Sequence, residues 1–139
     1  MKLTCILSFL LLSLVACTDT EIEPIDNYIF LHDNSSKVWL VDQQLDGDKD
    51  YTPLQISAKE IIVFHQSREA YFHRLKDLGT KPGIKMSFWM DQKKNELGFR
   101  GQKRDLVFEI TALSRTRIVL KPKYKSYKYT IVLIPFPEY

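Results

Sequence analysis

From residue 37 onward, short runs of strand-forming residues alternate with polar turns, and this spacing limits the folds open to the chain. Apolar side chains occupy every second position in several runs, as at Met86, Phe88 and Met90, which gives each such strand one apolar face. The runs predict strands at 38–45, 60–65, 70–75, 84–91, 96–100, 106–113, 116–121 and 127–134. Short strands joined by short polar turns favour an all-β antiparallel meander over alternating strands and helices.

A meander of about eight strands leaves two exposed edges unless it closes, so we expect a small closed barrel over residues 37–139. A barrel of this size holds either packed side chains or one small ligand. Large aromatic residues are abundant in this chain and favour a filled interior. The predicted core includes Trp39, Phe64, Phe88, Trp89, Phe99 and Phe108.

The segment 58–78 also fits a helix. Ser57 and Glu60 have the spacing of a helix capping box, and Gly79 stands where a helix C-terminal cap is expected. Four consecutive strand formers at 61–64, followed by a polar stretch at 65–68 that suits a turn, favour two strands instead.

The first seventeen residues have the composition of an export signal. Lys2 gives a basic start, and residues 6–16 are almost entirely apolar. This run is shorter than the about twenty residues that a membrane-spanning helix needs, and it fits a signal peptide. The end of the run, Leu14-Val15-Ala16-Cys17, resembles a bacterial lipoprotein signal peptide. The resemblance implies that residues 1–16 are removed and that Cys17 receives fatty acyl chains of the palmitate type.

Residues 17–36 are acidic and polar and predict a tether between the lipid and the barrel, although the apolar patch at 28–31 can dock on the domain. Thr18 stands where aspartate signals inner-membrane retention in some lipoproteins, so the resemblance implies the outer membrane. Asp19, Glu21 and Glu23 resemble the acidic leader of cell-surface lipoproteins of the Bacteroides group. We therefore expect a lipid-anchored outer-membrane protein, with exposure at the cell surface as a further expectation.

Charge and cysteine content narrow the function classes. Residues 17–54 carry two basic and nine acidic side chains, a net of −7, whereas residues 55–139 carry seventeen basic and eight acidic ones, a net of +9. Salt screens charges beyond about 8 Å, so the basic body alone does not identify a partner. The two cysteines, Cys5 and Cys17, both lie in the signal region. The domain therefore has no cysteine for a disulfide, a thiolate zinc site or a cysteine nucleophile.

Several runs together resemble the lipocalin-like lipoproteins of the Bacteroides group. They are a strand with a lone tryptophan at 38–41, an Ile-x-Phe strand at 62–64, an aromatic pair at 71–72, a glycine-initiated strand at 83–91, a Leu-x-Phe strand at 97–99, a hairpin at 108–114 and 117–120, and a Leu-Ile-Pro end at 133–135. The resemblance implies a small lipocalin-like barrel that binds a ligand or an envelope partner.

Metal and catalytic motifs are weak or absent in the sequence. Asp46, Asp48 and Asp50 begin like a calcium-binding loop, but Tyr51 and Ser57 replace the glycine and glutamate that such a loop needs. We expect a solvated loop there. The three histidines have no metal-ligand spacing, and no nucleophile motif or phosphate loop is present. No cofactor and no enzymatic activity are predicted.

The segment 121–129, which we call the Lys–Tyr segment, is the candidate surface site. Its cations and aromatic faces suit sugars or anionic lipids, although the same residues also suit the solvated rim of a hairpin. Strand alternation would place Tyr127 and Tyr129 on one face with Lys125 and Ile131. Its seven candidate residues are Lys121, Lys123, Tyr124, Lys125, Tyr127, Lys128 and Tyr129.

The combined expectation is a non-catalytic binding module at the outer membrane, held by lipid on Cys17, whose partner is an envelope protein or a small apolar ligand. Nucleic acid is not expected as a partner outside the cytoplasm. The alternatives are a structural accessory subunit of an outer-membrane complex and a hydrolase with an unrecognised site.

Overall fold

The computed structural model describes residues 27–137. The predicted signal peptide, Cys17 and most of the predicted tether lie outside the described residues. The lipid anchor and its membrane location therefore stay predictions.

The described chain is an all-β closed antiparallel barrel, which confirms the predicted fold class. A short helix, α1 (Ile29–His32), precedes the sheet. The strands are β1 (Ser36–Asp46), β2 (Lys49–Asp50), β3 (Glu60–His65), β4 (Glu69–Arg74), β5 (Ile84–Asp91), β6 (Glu96–Arg100), β7 (Asp105–Leu113), β8 (Ile118–Pro122) and β9 (Thr130–Pro135).

The barrel closes because β1 pairs with strands on both of its sides. It is antiparallel to β3 through the register Trp39↔Ile62 and to β9 through Leu40↔Ile134. Its register to β9 shifts between Val41 and Gln43, and a bulge of this kind bends a strand and increases its twist. From β3 to β9, each strand pairs with the next one along the chain. Only the two-residue β2 lies outside the ring.

The segment 58–78 forms two strands, as predicted, and the alternative of a helix is wrong. Strands β3 and β4 pair through Ile62↔Phe72 and Phe64↔Ala70. Ile62 and Phe64 belong to the core cluster and Val63 between them does not, which is the period-two alternation of a strand. The residues of the expected capping box form only a 3-10 turn at Ile56–Ala58.

The last predicted strand begins too early. The sequence predicts a strand from residue 127, whereas β9 begins at Thr130. Tyr124 and Lys125 have φ values of 56° and 52°, in the left-handed region that interrupts an extended chain. Residues 123–129 therefore form a loop, and the predicted face shared by Tyr127, Tyr129 and Lys125 is not continuous with β9.

Helix α1 lies against one end of the barrel. Leu31 is 0% exposed and belongs to the hydrophobic core, and Tyr28 packs against that core. The indole Nε1 of Trp39, on β1, donates to the Leu31 carbonyl at 3.0 Å. The apolar patch at 28–31 thus docks on the domain, the possibility that the sequence left open, since apolar surface is stabilised by leaving water.

Among residues 27–137, no helix has the length and apolar character needed to cross a bilayer.

Candidate functional site

The two ends of the barrel differ in structure. At the closed end, α1 packs beside the turns at 66–68, 92–95 and 114–117. At the open end, three longer connections at 47–59, 75–83 and 123–129 and the four-residue turn at 101–104 surround the interior. The barrel therefore has one sealed end and one end where its interior meets solvent.

Aromatic side chains fill the closed half. Phe64 and Phe88 meet edge to face with centroids 5.1 Å apart, and Tyr28 packs on Phe88 at 6.1 Å. The Tyr28 hydroxyl accepts from the Met90 backbone N–H at 2.7 Å, and the Arg68 guanidinium lies 3.1 Å from the Tyr28 ring centroid. Beside α1 there remains a smaller pocket of about 280 Å³, whose lining includes Phe30 and Met90.

The open half contains a cavity of about 690 Å³. Its lining is mostly apolar and comprises Val41, Glu60, Ile62, Phe72, Ile84, Lys85, Met86, Phe99, Gly101, Gln102, Lys103, Arg104, Leu106, Phe108, Tyr127 and Ile131. Phe99 meets Phe72 at 5.1 Å and Phe108 at 6.0 Å, so these rings form the boundary with the filled half. The prediction of a completely filled barrel is wrong for this half.

Trp89 explains part of that error. The sequence predicts it in the core, but it alternates with the inward residues Phe88 and Met90 and lies half-buried on the outer face. A Cβ on Gly98 would approach its ring to 2.0 Å, so the missing side chain at Gly98 makes room for this indole. The guanidinium of Arg100 lies 5.5 Å from the ring centroid. One of the two largest rings in the domain therefore contributes nothing to the interior.

Two of the polar side chains that line the cavity are partly buried, and they come from different elements. Glu60 begins β3 and alternates inward with Ile62 and Phe64, while Tyr127 lies in the 123–129 loop. Burial raises the pKa of the Glu60 carboxyl, and the Arg74 charge opposes that rise. Burial and the nearby Glu60 charge raise the pKa of Tyr127 to about 12, so its hydroxyl stays protonated at neutral pH.

The rim of the cavity carries exposed cations. Lys103 and Arg104 lie in the 101–104 loop and line the cavity. Lys85 also lines it, but its Nζ is 2.9 Å from the Glu69 carboxylate, which pairs with that charge. Ile84, at 67% exposed, adds an apolar side chain to the rim. An apolar molecule can therefore enter past Ile84 without crossing a fully polar surface.

The structure brings part of the Lys–Tyr segment together. Lys121 is exposed on β8, whereas Tyr127 turns into the cavity and meets Phe108 at 5.7 Å between ring centroids. Lys128 lies 5.4 Å from the Tyr129 ring, and Tyr129 in turn packs on Tyr51 at 5.5 Å. The Tyr127 and Tyr129 rings meet at 6.1 Å, and Lys125, Tyr127 and Lys128 line a shallow pocket with Arg104, whereas Lys121 lies apart on the outer wall.

Lys123 and Tyr124 have a structural partner that the sequence did not indicate. Lys123 Nζ lies 2.5 Å from Glu96 Oε1, and the Tyr124 hydroxyl donates to the same oxygen at 3.4 Å. Glu96 is only 7% exposed, and its hydrogen bond from Lys123 is the main cause that lowers the carboxyl pKa. Lys123 is therefore held in an ion pair and is partly buried, whereas Lys125 is exposed.

The acidic cluster forms a hairpin instead of a calcium loop. Asp46 pairs with Lys49 across the β1–β2 turn, where Gly47 has a φ of 59°. The Asp50 carboxylate accepts from the Thr52 hydroxyl and from the Thr52 backbone N–H, and these two bonds, the hydroxyl's first, lower the carboxyl pKa. In the part of the chain that the structure describes, no group of three His, Cys, Asp or Glu residues is placed to hold a metal ion.

Sequence reasoning missed Glu60 as a site residue. Its only signal is that an acid occupies an inward position of a strand whose next inward residues, Ile62 and Phe64, are apolar. The sequence predicts a strand that begins at this glutamate, but it does not show that the side chain faces inward.

Comparison of the chain with protein-family models, with curated proteins and with solved structures gives no match.

Proposed function

We propose that this protein is a non-catalytic binding module that holds one small apolar molecule in the cavity at the open end of its barrel. The observation that carries the proposal is the cavity itself. Its volume of about 690 Å³ lies within the range of about 300–1,000 Å³ that is typical of small-molecule sites. Its mostly apolar walls and few polar groups are also typical of such sites.

The cavity favours ligand binding over a purely structural accessory role. An interior that only has to be stable would be close-packed, since each unfilled volume loses dispersion contacts and costs stability. Here β3, β5, β6 and β7 supply inward side chains that leave the space open. Nucleophilic catalysis needs a nucleophile, a base and an orienting group together, and Glu60 and Tyr127 do not form such a set.

The location belongs to the same proposal and rests on the sequence. Acyl chains on Cys17 would hold the barrel at the outer membrane, because two or more chains give stable attachment. Metabolic fatty-acid labelling tests this, since wild-type protein should be labelled and membrane-bound, and Cys17→Ser should be unlabelled and soluble. An unlabelled, soluble wild type would contradict the anchor and leave the cavity proposal standing.

Ligand binding is tested by placing a bulky ring inside or outside the cavity on the same strand. Met86 is 9% exposed and lines the cavity, while its neighbour Ser87 is exposed on the outer face of β5. A neutral fluorescent probe, N-phenyl-1-naphthylamine, should bind wild type and Ser87→Trp equally. Met86→Trp should weaken its binding by about tenfold or more, equivalent to about 1.4 kcal/mol.

Circular dichroism of both variants checks that the barrel remains folded. If Met86→Trp unfolds, Leu106→Phe makes a smaller intrusion into the same cavity and takes its place. The proposal would be contradicted if the folded cavity variant and the outer-face variant bound the probe equally well. It would also be contradicted if wild-type protein did not bind the probe.

A further inference from the structure

Glu60 differs from the other partly buried acids of the domain in having no partner. Asp42 pairs with Lys59 at 3.3 Å, Glu69 pairs with Lys85 and Glu96 pairs with Lys123. Within residues 27–137, the Glu60 carboxylate has neither a hydrogen bond nor an ion pair, although it faces the cavity.

An unpaired carboxylate in an apolar cavity is costly to the folded protein. Burying a charge without a partner loses hydration that nothing replaces. Arg74 is the cross-strand neighbour of Glu60, but it is exposed and makes no ion pair with the carboxylate among the described contacts. The Tyr127 hydroxyl also lacks a hydrogen-bond partner in the described chain, and Tyr127 lines the same cavity. Two polar groups are thus left available to something inside the cavity.

We propose that the ligand is an apolar amine, whose hydrocarbon part fills the cavity while its protonated nitrogen donates to the Glu60 carboxylate. This inference rests on the proposed binding function. An alkylammonium group has a pKa near that of lysine, about 10.4, and is therefore charged at neutral pH. Its hydrogen bond to a carboxylate is roughly twice as strong as one between neutral groups. The Tyr127 hydroxyl provides a second oxygen acceptor for an N–H of the same group.

Ligands with a different polar end group fit the cavity less well than an amine. A carboxylate ligand would bring a second negative charge towards Glu60, and like charges at close range repel strongly where water is excluded. The rim cations Lys103 and Arg104 would attract it, but both are exposed and their fields are weakened by salt. An alcohol would satisfy Glu60 without neutralising its charge.

The experiment uses three ligands with the same ten-carbon chain, namely decylamine, decanol and decanoate. The affinity of each is measured by its displacement of N-phenyl-1-naphthylamine from the full-length protein. Wild-type protein should bind decylamine about tenfold more tightly than decanol, and decanoate most weakly. Glu60→Gln keeps the side-chain size and removes the charge. It should reduce decylamine affinity to that of decanol while leaving decanol affinity within about twofold.

Glu109→Gln is the matched control, because Glu109 is an exposed acid on the outer face of β7. It removes the same charge from the protein and should leave all three affinities unchanged. Equal binding of decylamine and decanol by wild type, or an amine preference that persists in Glu60→Gln, would overturn the inference while the binding function stands. Tighter binding of decanoate would overturn it in favour of recognition by the rim cations. If Met86→Trp did not weaken probe binding, the proposed function itself would be contradicted.

Discussion

The hydrogen bond that fastens helix α1 to the barrel gives a direct test of how the closed end is held. Trp39 and Leu31 are both 0% exposed, and the indole Nε1 donates to the Leu31 carbonyl at 3.0 Å. Trp39→Phe keeps an aromatic ring and removes this donor. Leaving a buried carbonyl without its partner costs about 1–3 kcal/mol. The smaller ring loses roughly 40 Å² of buried apolar surface, which adds about 1 kcal/mol. We expect the free energy of unfolding to fall by about 2–4 kcal/mol in total.

Urea denaturation followed by far-UV circular dichroism measures this loss without relying on tryptophan fluorescence, which the substitution itself changes. The matched control is Trp89→Phe, because Trp89 is half-buried on the outer face and its indole nitrogen has no hydrogen-bond partner in residues 27–137. The control should lose about 1 kcal/mol or less. Amide exchange of α1 should also rise in Trp39→Phe, since a four-residue helix is not stable alone. A loss below about 1 kcal/mol, or equal losses in both variants, would refute the reasoning.

Two further outcomes follow from the paired and unpaired acids. Lys123→Glu should lower the melting temperature because it places a second carboxylate beside the nearly buried Glu96. Lys125→Glu on the exposed loop should leave the melting temperature unchanged. Equal effects of the two substitutions would contradict the ion pair between Lys123 and Glu96. The raised pKa of Glu60 means that the folded state retains the proton to higher pH than the unfolded state, so this group's contribution to stability falls as pH rises from about 4.5 through the folded pKa. Without ligand, the free energy of unfolding of Glu60→Gln should therefore exceed that of wild type at pH values above the folded pKa of Glu60. The two values should converge below about pH 4.5, and a difference that does not change with pH would contradict the raised pKa.

The strands were predictable because their pattern is local. Period-two alternation sets the face of each residue within a run, and the bounds of β5 and β6 agree with the prediction. The errors occur where the backbone leaves extended geometry. Left-handed φ values at Tyr124 and Lys125 form the turn after β8, and the chain does not return to a paired strand until Thr130. No glycine in that stretch indicates the turn.

The cavity could not be predicted from the sequence, because it depends on which strands face one another across the barrel. Hydrophobicity alone places Trp89 in the core. Its pairing with Gly98 on β6 shows that the ring lies on the outer face of the barrel. Likewise, an apolar run does not reveal that Leu31 seals one end, since that requires the position of Trp39 relative to the chain before β1. These are long-range relations, and a list of hydrophobic residues does not contain them.

The division of the barrel into a sealed half and an open half explains why the domain can tolerate an unpaired acid. The closed end concentrates its most buried side chains, Trp39, Phe64 and Leu31, in a well-packed cluster that needs no ligand. The open end has Glu60 at a position where an apolar residue would fill space and remove a buried charge. Stability alone favours that replacement, and the proposed amine ligand would account for the carboxylate. If a ligand neutralises Glu60, its binding relieves the cost that the empty cavity imposes, and the affinity includes that relief.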